Sequence, residues 1–218
     1  MKRKSGVFAV LYILSCVLPV IPLAILSTIQ DITRNENIIS DTSFFFSIYA
    51  FMFIIAVALF HEEIKDSLVD FFKKPIKRTF FIFILLIVTY FINYKVSIFF
   101  SINEETNNQE SLLKIMQDVP FFVNFIYLTF IAPLVEEIFF RHILIGEFSN
   151  FVGGFIASII SIIAFVCAHS IAFPECMAYL PLALSITGVY IINKGSISSS
   201  FMFHAMNNAF VSIIIYLS

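Results

Sequence analysis

The chain has 218 residues, 60% of them hydrophobic and only 13% charged, with a mean hydropathy of +0.96 and a formal net charge of −2 at pH 7. A soluble domain lies nearer one half apolar and one quarter charged, so these proportions exclude an ordinary water-soluble globule and make a lipid bilayer the solvent. Three cysteines, Cys16, Cys167 and Cys176, form no CxxC and no paired spacing, so nothing suggests a disulfide framework or a thiolate metal site. No nucleic-acid partner is expected.

The charges are bunched, and the gaps between bunches are long enough to cross a membrane. After Lys2, Arg3 and Lys4 an apolar run continues to about Thr28. It is too long for the apolar part of a cleavable signal peptide and has no A-x-A-like exit, so it reads as a first transmembrane helix. A polar loop, Gln30 to Ser43, precedes a second span from about Phe44 to Phe60. The most charged stretch, His61 to Arg78, carries Ile64, Leu68, Val69 and Phe72 at helical spacing and is predicted to form a short amphipathic helix on the membrane surface. A third span covers about Thr79 to Phe100, and the acidic, Asn-rich segment Ser101 to Pro120 follows it. That segment divides the chain into residues 1–120, with three spans, and residues 121–218, a four-helix core. The four later spans are Phe121–Glu147, Phe155–Phe173, Ala178–Asn193 and Ser200–Leu217, punctuated by Gly153-Gly154, Pro174 and Gly195. The expected fold is therefore all-α, a polytopic transmembrane helical bundle of about seven spans.

With the N-terminus in the cytoplasm, Lys2, Arg3, Lys4, Lys65, Lys73, Lys74, Lys77, Arg78, Arg141 and Lys194 fall inside, against Arg34, Lys95 and Lys114 outside. That asymmetry predicts a multi-pass protein of the cell membrane with a cytoplasmic N-terminus.

Within the apolar runs of the second half lie Glu136, Glu137, Arg141, His142, His169, His204, Asn207 and Asn208. A charged residue at the centre of a membrane helix costs about 2.5–3.5 kcal/mol on insertion scales, so each needs a partner or a function. Glu137 and Arg141 are four apart and can neutralise one another on one helix face. Glu136 is rotated by about 100° from Glu137, which leaves its carboxylate free for chemistry. His204 and Asn208 share a face by the same spacing, as do Phe165 and His169. His61 and His142 read as packing residues, Asn207 as a packing or interface residue facing away from His204, and Glu147 and Glu175 as ordinary span-end carboxylates. A carboxylate, two imidazoles and an amide in a dry site can activate water and stabilise an oxyanion. The same groups can hold a divalent cation, zinc being the natural choice for Glu136, His169 and His204. The absence of H-E-x-x-H tilts the reading away from metal.

Glu136-Glu137-Ile-Phe-Phe-Arg141, Phe165-Val-Cys-Ala-His169 and His204-Ala-Met-Asn-Asn208 resemble the three motifs EExxxR, FxxxH and HxxxN of the CAAX-protease and bacteriocin-processing (CPBP, Abi) family of membrane peptidases. The resemblance covers about Phe121 to Leu217. It implies that Glu136 activates water with the help of His169, that His204 and Asn208 form the oxyanion site, and that Glu137 and Arg141 support the structure. It further implies an intramembrane endopeptidase with no required cofactor, acting on a hydrophobic or membrane-associated peptide at or near the cytoplasmic face, in peptide maturation or bacteriocin self-immunity. A CAAX preference does not follow, because the Ile-, Phe- and Asn-rich composition looks bacterial and most bacteria do not prenylate proteins.

Two other classes compete. A proton-coupled transporter would show hydropathy repeats between halves, and none is visible. A non-catalytic immunity or scaffold protein would have lost Glu136, His169 or His204, and all three are present. One register needs explanation. Upright helices beginning at the stated positions leave His204 about 10–15 Å from the level of Glu136 and His169, a gap that a tilted or earlier-starting last helix would close.

Overall fold

The structure, a computed structural model, describes residues 2–17, 41–100, 102, 119–170 and 172–217. Among these the regular elements are all helical: α1 (Arg3–Val17), α2 (Asp41–Phe72), α3 (Pro75–Phe99), α4 (Phe121–Val152), α5 (Gly154–His169), α6 (Phe173–Ile192) and α7 (Ile197–Leu217). Five stretches are long and apolar enough to cross a bilayer: Phe46–Phe72 within α2, and the whole of α3, α4, α6 and α7. α5 is apolar but shorter. This is an all-α membrane protein, with rows of exposed apolar side chains such as Phe80, Phe83 and Phe91 along α3 that suit a lipid surround. The end of the predicted first span beyond Val17, the polar loop up to Ser40 and most of the acidic segment after the third span lie outside the described residues.

The predicted second span and amphipathic surface helix are one element. α2 runs through both and bends at Phe60, whose φ of −118° and ψ of 17° are not helical. The bend has a local cause: the Lys4 ammonium of α1 donates to the Leu59 carbonyl at 2.9 Å, supplying a partner where the helix changes direction. The same ammonium reaches Glu63 at 2.6 Å. Charge on the second half of α2 thus serves helix–helix contact as well as the surface.

Other boundaries move for equally local reasons. α6 starts at Phe173 rather than Ala178, because Pro174 occupies the first turn, where its missing N–H costs nothing, instead of breaking the helix. α7 starts at Ile197 rather than Ser200. Serines 198–200, polar enough to read as a linker, form its first turn because α2 caps it: Ser67 Oγ accepts from the Ser198 N–H at 2.8 Å and bonds Ser196 Oγ at 3.0 Å. Lys194 and Gly195, both at positive φ, make the tight turn that lets α6 and α7 lie side by side. α5 ends at His169 instead of Phe173, the chain becoming extended at Ser170.

α4 is irregular. Tyr127–Ile131 and Glu137–Glu147 are wound in wide π turns, the N–H of Phe148 for example reaching the Ile143 carbonyl five residues back at 2.9 Å. Such turns are uncommon outside functional regions. They are held from outside: Ser161 Oγ of α5 donates to the Phe140 carbonyl at 2.7 Å in a buried contact.

One apolar core unites the two halves of the chain. Phe8 of α1 meets Phe60 of α2 edge to face at 5.4 Å, Phe140 of α4 meets Phe165 of α5 at 5.3 Å, and Ile186 of α6 and Phe203 of α7 complete the same cluster. Lipid tails are as apolar as these side chains, so close packing and interhelical hydrogen bonds must hold the bundle. At one end Glu147, near the end of α4, accepts from the Lys2 backbone N–H and from Ser5 Oγ, both at 2.7 Å, and ties α1 to the core. Reading Glu147 as an ordinary span-end carboxylate misses this anchor.

Candidate active site

α4 delivers three ionisable groups into the bundle at the point where its winding changes. The regular stretch Ala132–Glu136 ends at Glu136, and the wide turns begin at Glu137. Glu137 and Arg141 are fully buried, and Glu136 is 8% exposed. Arg141 Nε lies 3.5 Å from Glu137 Oε2, the ion pair expected from their spacing. The guanidinium carbon stands 4.5 Å over the Phe165 ring, so part of its charge is met by an aromatic face.

α7 and α5 bring the imidazoles. His204, 1% exposed, donates from Nδ1 to Glu137 Oε1 at 3.0 Å, and its Nε2 lies 3.9 Å from Glu136 Oε2. It therefore stands between the two carboxylates. His169 Nδ1 contacts the Phe165 carbonyl at 2.8 Å; that carbonyl can only accept, so Nδ1 carries the proton. Its Nε2 lies 4.0 Å from Glu136 Oε2. The aromatic residue of the second motif thus packs its own histidine, at 4.3 Å between rings, and also supports Arg141 and His204. Because α7 starts early and α5 stops at His169, the predicted register gap is absent, and Glu136, His169 and His204 meet.

Asn208, one turn beyond His204, donates from Nδ2 to the Leu128 carbonyl at 3.0 Å and accepts from Asn207 at 3.1 Å. Its carboxamide is thereby fixed in orientation, with one N–H still to give. Asn207 is buried, as a packing residue would be, and its backbone carbonyl accepts from Tyr90 at 3.3 Å. His142 packs edge-on against Phe60 and stands 3.7 Å from Glu147, while His61 is exposed and lies beside Glu62.

Three tyrosines also interact with this cluster. Tyr12 of α1 stacks on Phe139 at 4.2 Å, and Tyr49 of α2 meets Tyr127 of α4 at 5.8 Å. Tyr12, Tyr49 and Tyr127 all interact electrostatically with Glu136. Three tyrosines in apolar helices were the available signal, but which face each occupies cannot be read when every face is apolar.

The donor set of Glu136, His169 and His204 is chemically that of a zinc site. Ligands around a tetrahedral zinc stand about 3.3 Å apart, whereas these pairs are at 3.9 and 4.0 Å. Among the described residues no group of three His, Cys, Asp or Glu side chains is placed to hold a metal ion.

Fold and site together define a helical membrane protein with a Glu, Glu, Arg, His, His and Asn cluster enclosed by α4, α5 and α7. Residues 118–210 match the type II CAAX prenyl endopeptidase Rce1-like family. The chain is also 30% identical over 132 residues to the UPF0177 protein in the abiGi 5'region of Lactococcus lactis subsp. cremoris, a match that covers 61% of this chain and 55% of that protein. The chain thus spans about half the length of this relative. No solved structure matches it.

Proposed function

We propose that the protein is an intramembrane endopeptidase in which Glu136 activates water against a peptide bond of a hydrophobic or membrane-associated substrate. The observation that carries this reading is the convergence on Glu136 Oε2 of His169 Nε2 at 4.0 Å and His204 Nε2 at 3.9 Å. Those separations are too long for direct hydrogen bonds and suit a water shared between the groups.

The chemistry follows from the donors. His169, its Nδ1 proton given to the Phe165 carbonyl, offers an Nε2 lone pair that accepts one water hydrogen and aims the oxygen. Glu136 takes the other proton as the water oxygen attacks the carbonyl carbon. The oxyanion that forms is met by the remaining N–H of Asn208 and by His204 Nε2–H in the doubly protonated imidazole, whose Nδ1–H is held by Glu137. In that state Arg141 and His204 balance Glu136 and Glu137, and the buried cluster is neutral. Collapse of the tetrahedral intermediate breaks the C–N bond, and the proton on Glu136 passes to the departing amine.

Position supports the substrate class. Glu136 precedes Glu147, which holds the Lys2 end of α1, by eleven residues, placing it up to about 16 Å inside the charged end of the bundle. A peptide bond reaching it must enter the apolar zone. We read the charged end, with Lys2, Lys4 and Glu63, as cytoplasmic. A role in peptide maturation or bacteriocin self-immunity is compatible with this activity, and no metal is required by it.

The test is cleavage of a panel of hydrophobic and membrane-anchored peptides by the purified full chain in detergent or vesicles, beside Glu136→Gln, His169→Ala and His204→Ala. Loss of cleavage in all three folded variants is the expected result. Cleavage by the variants at the rate of the unaltered protein would overturn the assignment and favour a non-catalytic immunity role.

A further inference from the structure

The motifs that carry the family resemblance lie on α4, α5 and α7, within the matched residues 118–210. The structure places two more polar groups beside Glu136, and both come from outside that segment. Tyr12 is 4% exposed and lies face to face on Phe139 at 4.2 Å and 25°, edge-on to Phe140 at 5.8 Å. Phe139 and Phe140 lie within one turn of Glu136 on α4, so the Tyr12 ring packs on α4 at the level of Glu136. Tyr49 approaches from α2, edge to face with Tyr127 at 5.8 Å. The hydroxyls of Tyr12 and Tyr49 interact with one another as well as with Glu136.

We propose that Tyr12 and Tyr49 are positioning residues for the Glu136 carboxyl group, so that α1 and α2 complete a site whose motifs all lie on later helices. This rests on the reading of Glu136 as the water-activating group. The physical need is plain: Glu136 Oε2 is buried and has no hydrogen-bond partner, and both histidine Nε2 atoms stand at least 3.9 Å away. A carboxyl group held so loosely on its α5 and α7 side needs restraint from elsewhere. The tyrosine pair supplies dipoles from α1 and α2, on rings packed against Phe139, Phe140 and Tyr127. α1 is itself pinned by Lys2 and Ser5 to Glu147 and by Lys4 to α2, which fixes the depth of Tyr12.

The experiment reads the carboxyl group directly and needs no turnover. Infrared difference spectra of the full chain in detergent, unaltered minus Glu136→Gln, isolate the Glu136 band. Repeated in the Tyr12→Phe and Tyr49→Phe backgrounds, which keep the rings and their stacking, the band is expected to shift in both. Tyr94→Phe, at an exposed position on α3, is expected to leave it in place. A band unmoved by both site substitutions overturns the proposal, whether or not any peptide is cleaved. Should either variant fail to fold, the other decides. With a cleaved peptide in hand, each substitution is expected to lower kcat about tenfold at unchanged KM, as loosening the position of a reacting group does. An unchanged kcat in both would also overturn it, while absence of cleavage by the unaltered protein bears on the peptidase reading alone.

Discussion

His204 and Glu137 are 67 residues apart in the chain and joined by a buried hydrogen bond of 3.0 Å from Nδ1 to Oε1. The carboxylate on the far side of that bond also faces Arg141 at 3.5 Å, so Glu137 serves a cation and an imidazole at once. It is the element that ties α7 to α4 at the level of the site.

Removing Glu137 therefore strands two groups. Glu137→Ala is expected to cost about 3–5 kcal/mol, because an uncompensated guanidinium remains fully buried. Arg141→Met alone should cost a similar amount for the mirror reason. The double variant Glu137→Leu/Arg141→Met removes both charges and should lose clearly less than the sum of the singles, since an apolar pair replaces an ion pair at little net cost. Thermal unfolding of the detergent-solubilised variants measures this. Strictly additive losses would show that the two side chains do not act as a pair.

Glu136 behaves in the opposite way. Its Oε2 is buried without a hydrogen-bond partner, so the charge is a burden on the fold that only chemistry justifies. Glu136→Gln is expected to leave the midpoint of unfolding unchanged or raise it, while cleavage falls by at least about a thousandfold. A variant that is both inactive and markedly less stable would mean that Glu136 is structural, and that the free carboxylate lies elsewhere.

These two glutamates also show how far the sequence could be read. Their adjacency, the four-residue step to Arg141 and the histidines stranded in apolar runs were visible because ionisable groups stand out in a chain that is 60% hydrophobic. The same background hid the rest. In a bilayer the lipid-facing and buried sides of a helix are both apolar, so periodicity does not say which face of α1 carries Tyr12 inward. Helix ends were misplaced wherever a distant side chain set them: Ser67 of α2 starts α7, and Lys4 of α1 bends α2 at Phe60. Glu147 resembles any carboxylate near a span end, and only the fold brings the Lys2 backbone N–H onto it. Contacts between residues 55 to 145 positions apart leave no local pattern.

Gly146 is one such hidden constraint. A Cβ built at this position would lie 2.7 Å from the Tyr190 hydroxyl, an atom on a rigid ring with no room to give. Gly146→Ala should destabilise the protein by about 1–3 kcal/mol through overpacking. Tyr190→Phe removes the obstructing oxygen, so in that background the same alanine should cost much less. The comparison is made by unfolding midpoints, and an equal cost in both backgrounds would place the strain somewhere other than this contact.

The spacing around Glu136 makes a prediction about metal. A tetrahedral zinc would require the Glu136 oxygen and the two imidazole nitrogens to stand about 3.3 Å from one another, and they are found at 3.9 and 4.0 Å. The imidazoles keep their Nδ1 contacts to Glu137 and to the Phe165 carbonyl with or without a metal, so the separations from Glu136 alone set the expectation. Cleavage by the purified chain is therefore expected to survive prolonged treatment with a strong chelator and to gain nothing from added zinc. Metal analysis of the active preparation should find well under one equivalent. Activity lost to chelator and restored by zinc alone would show that the side chains rearrange to bind it, and would replace the glutamate–water mechanism with a metal-bound one.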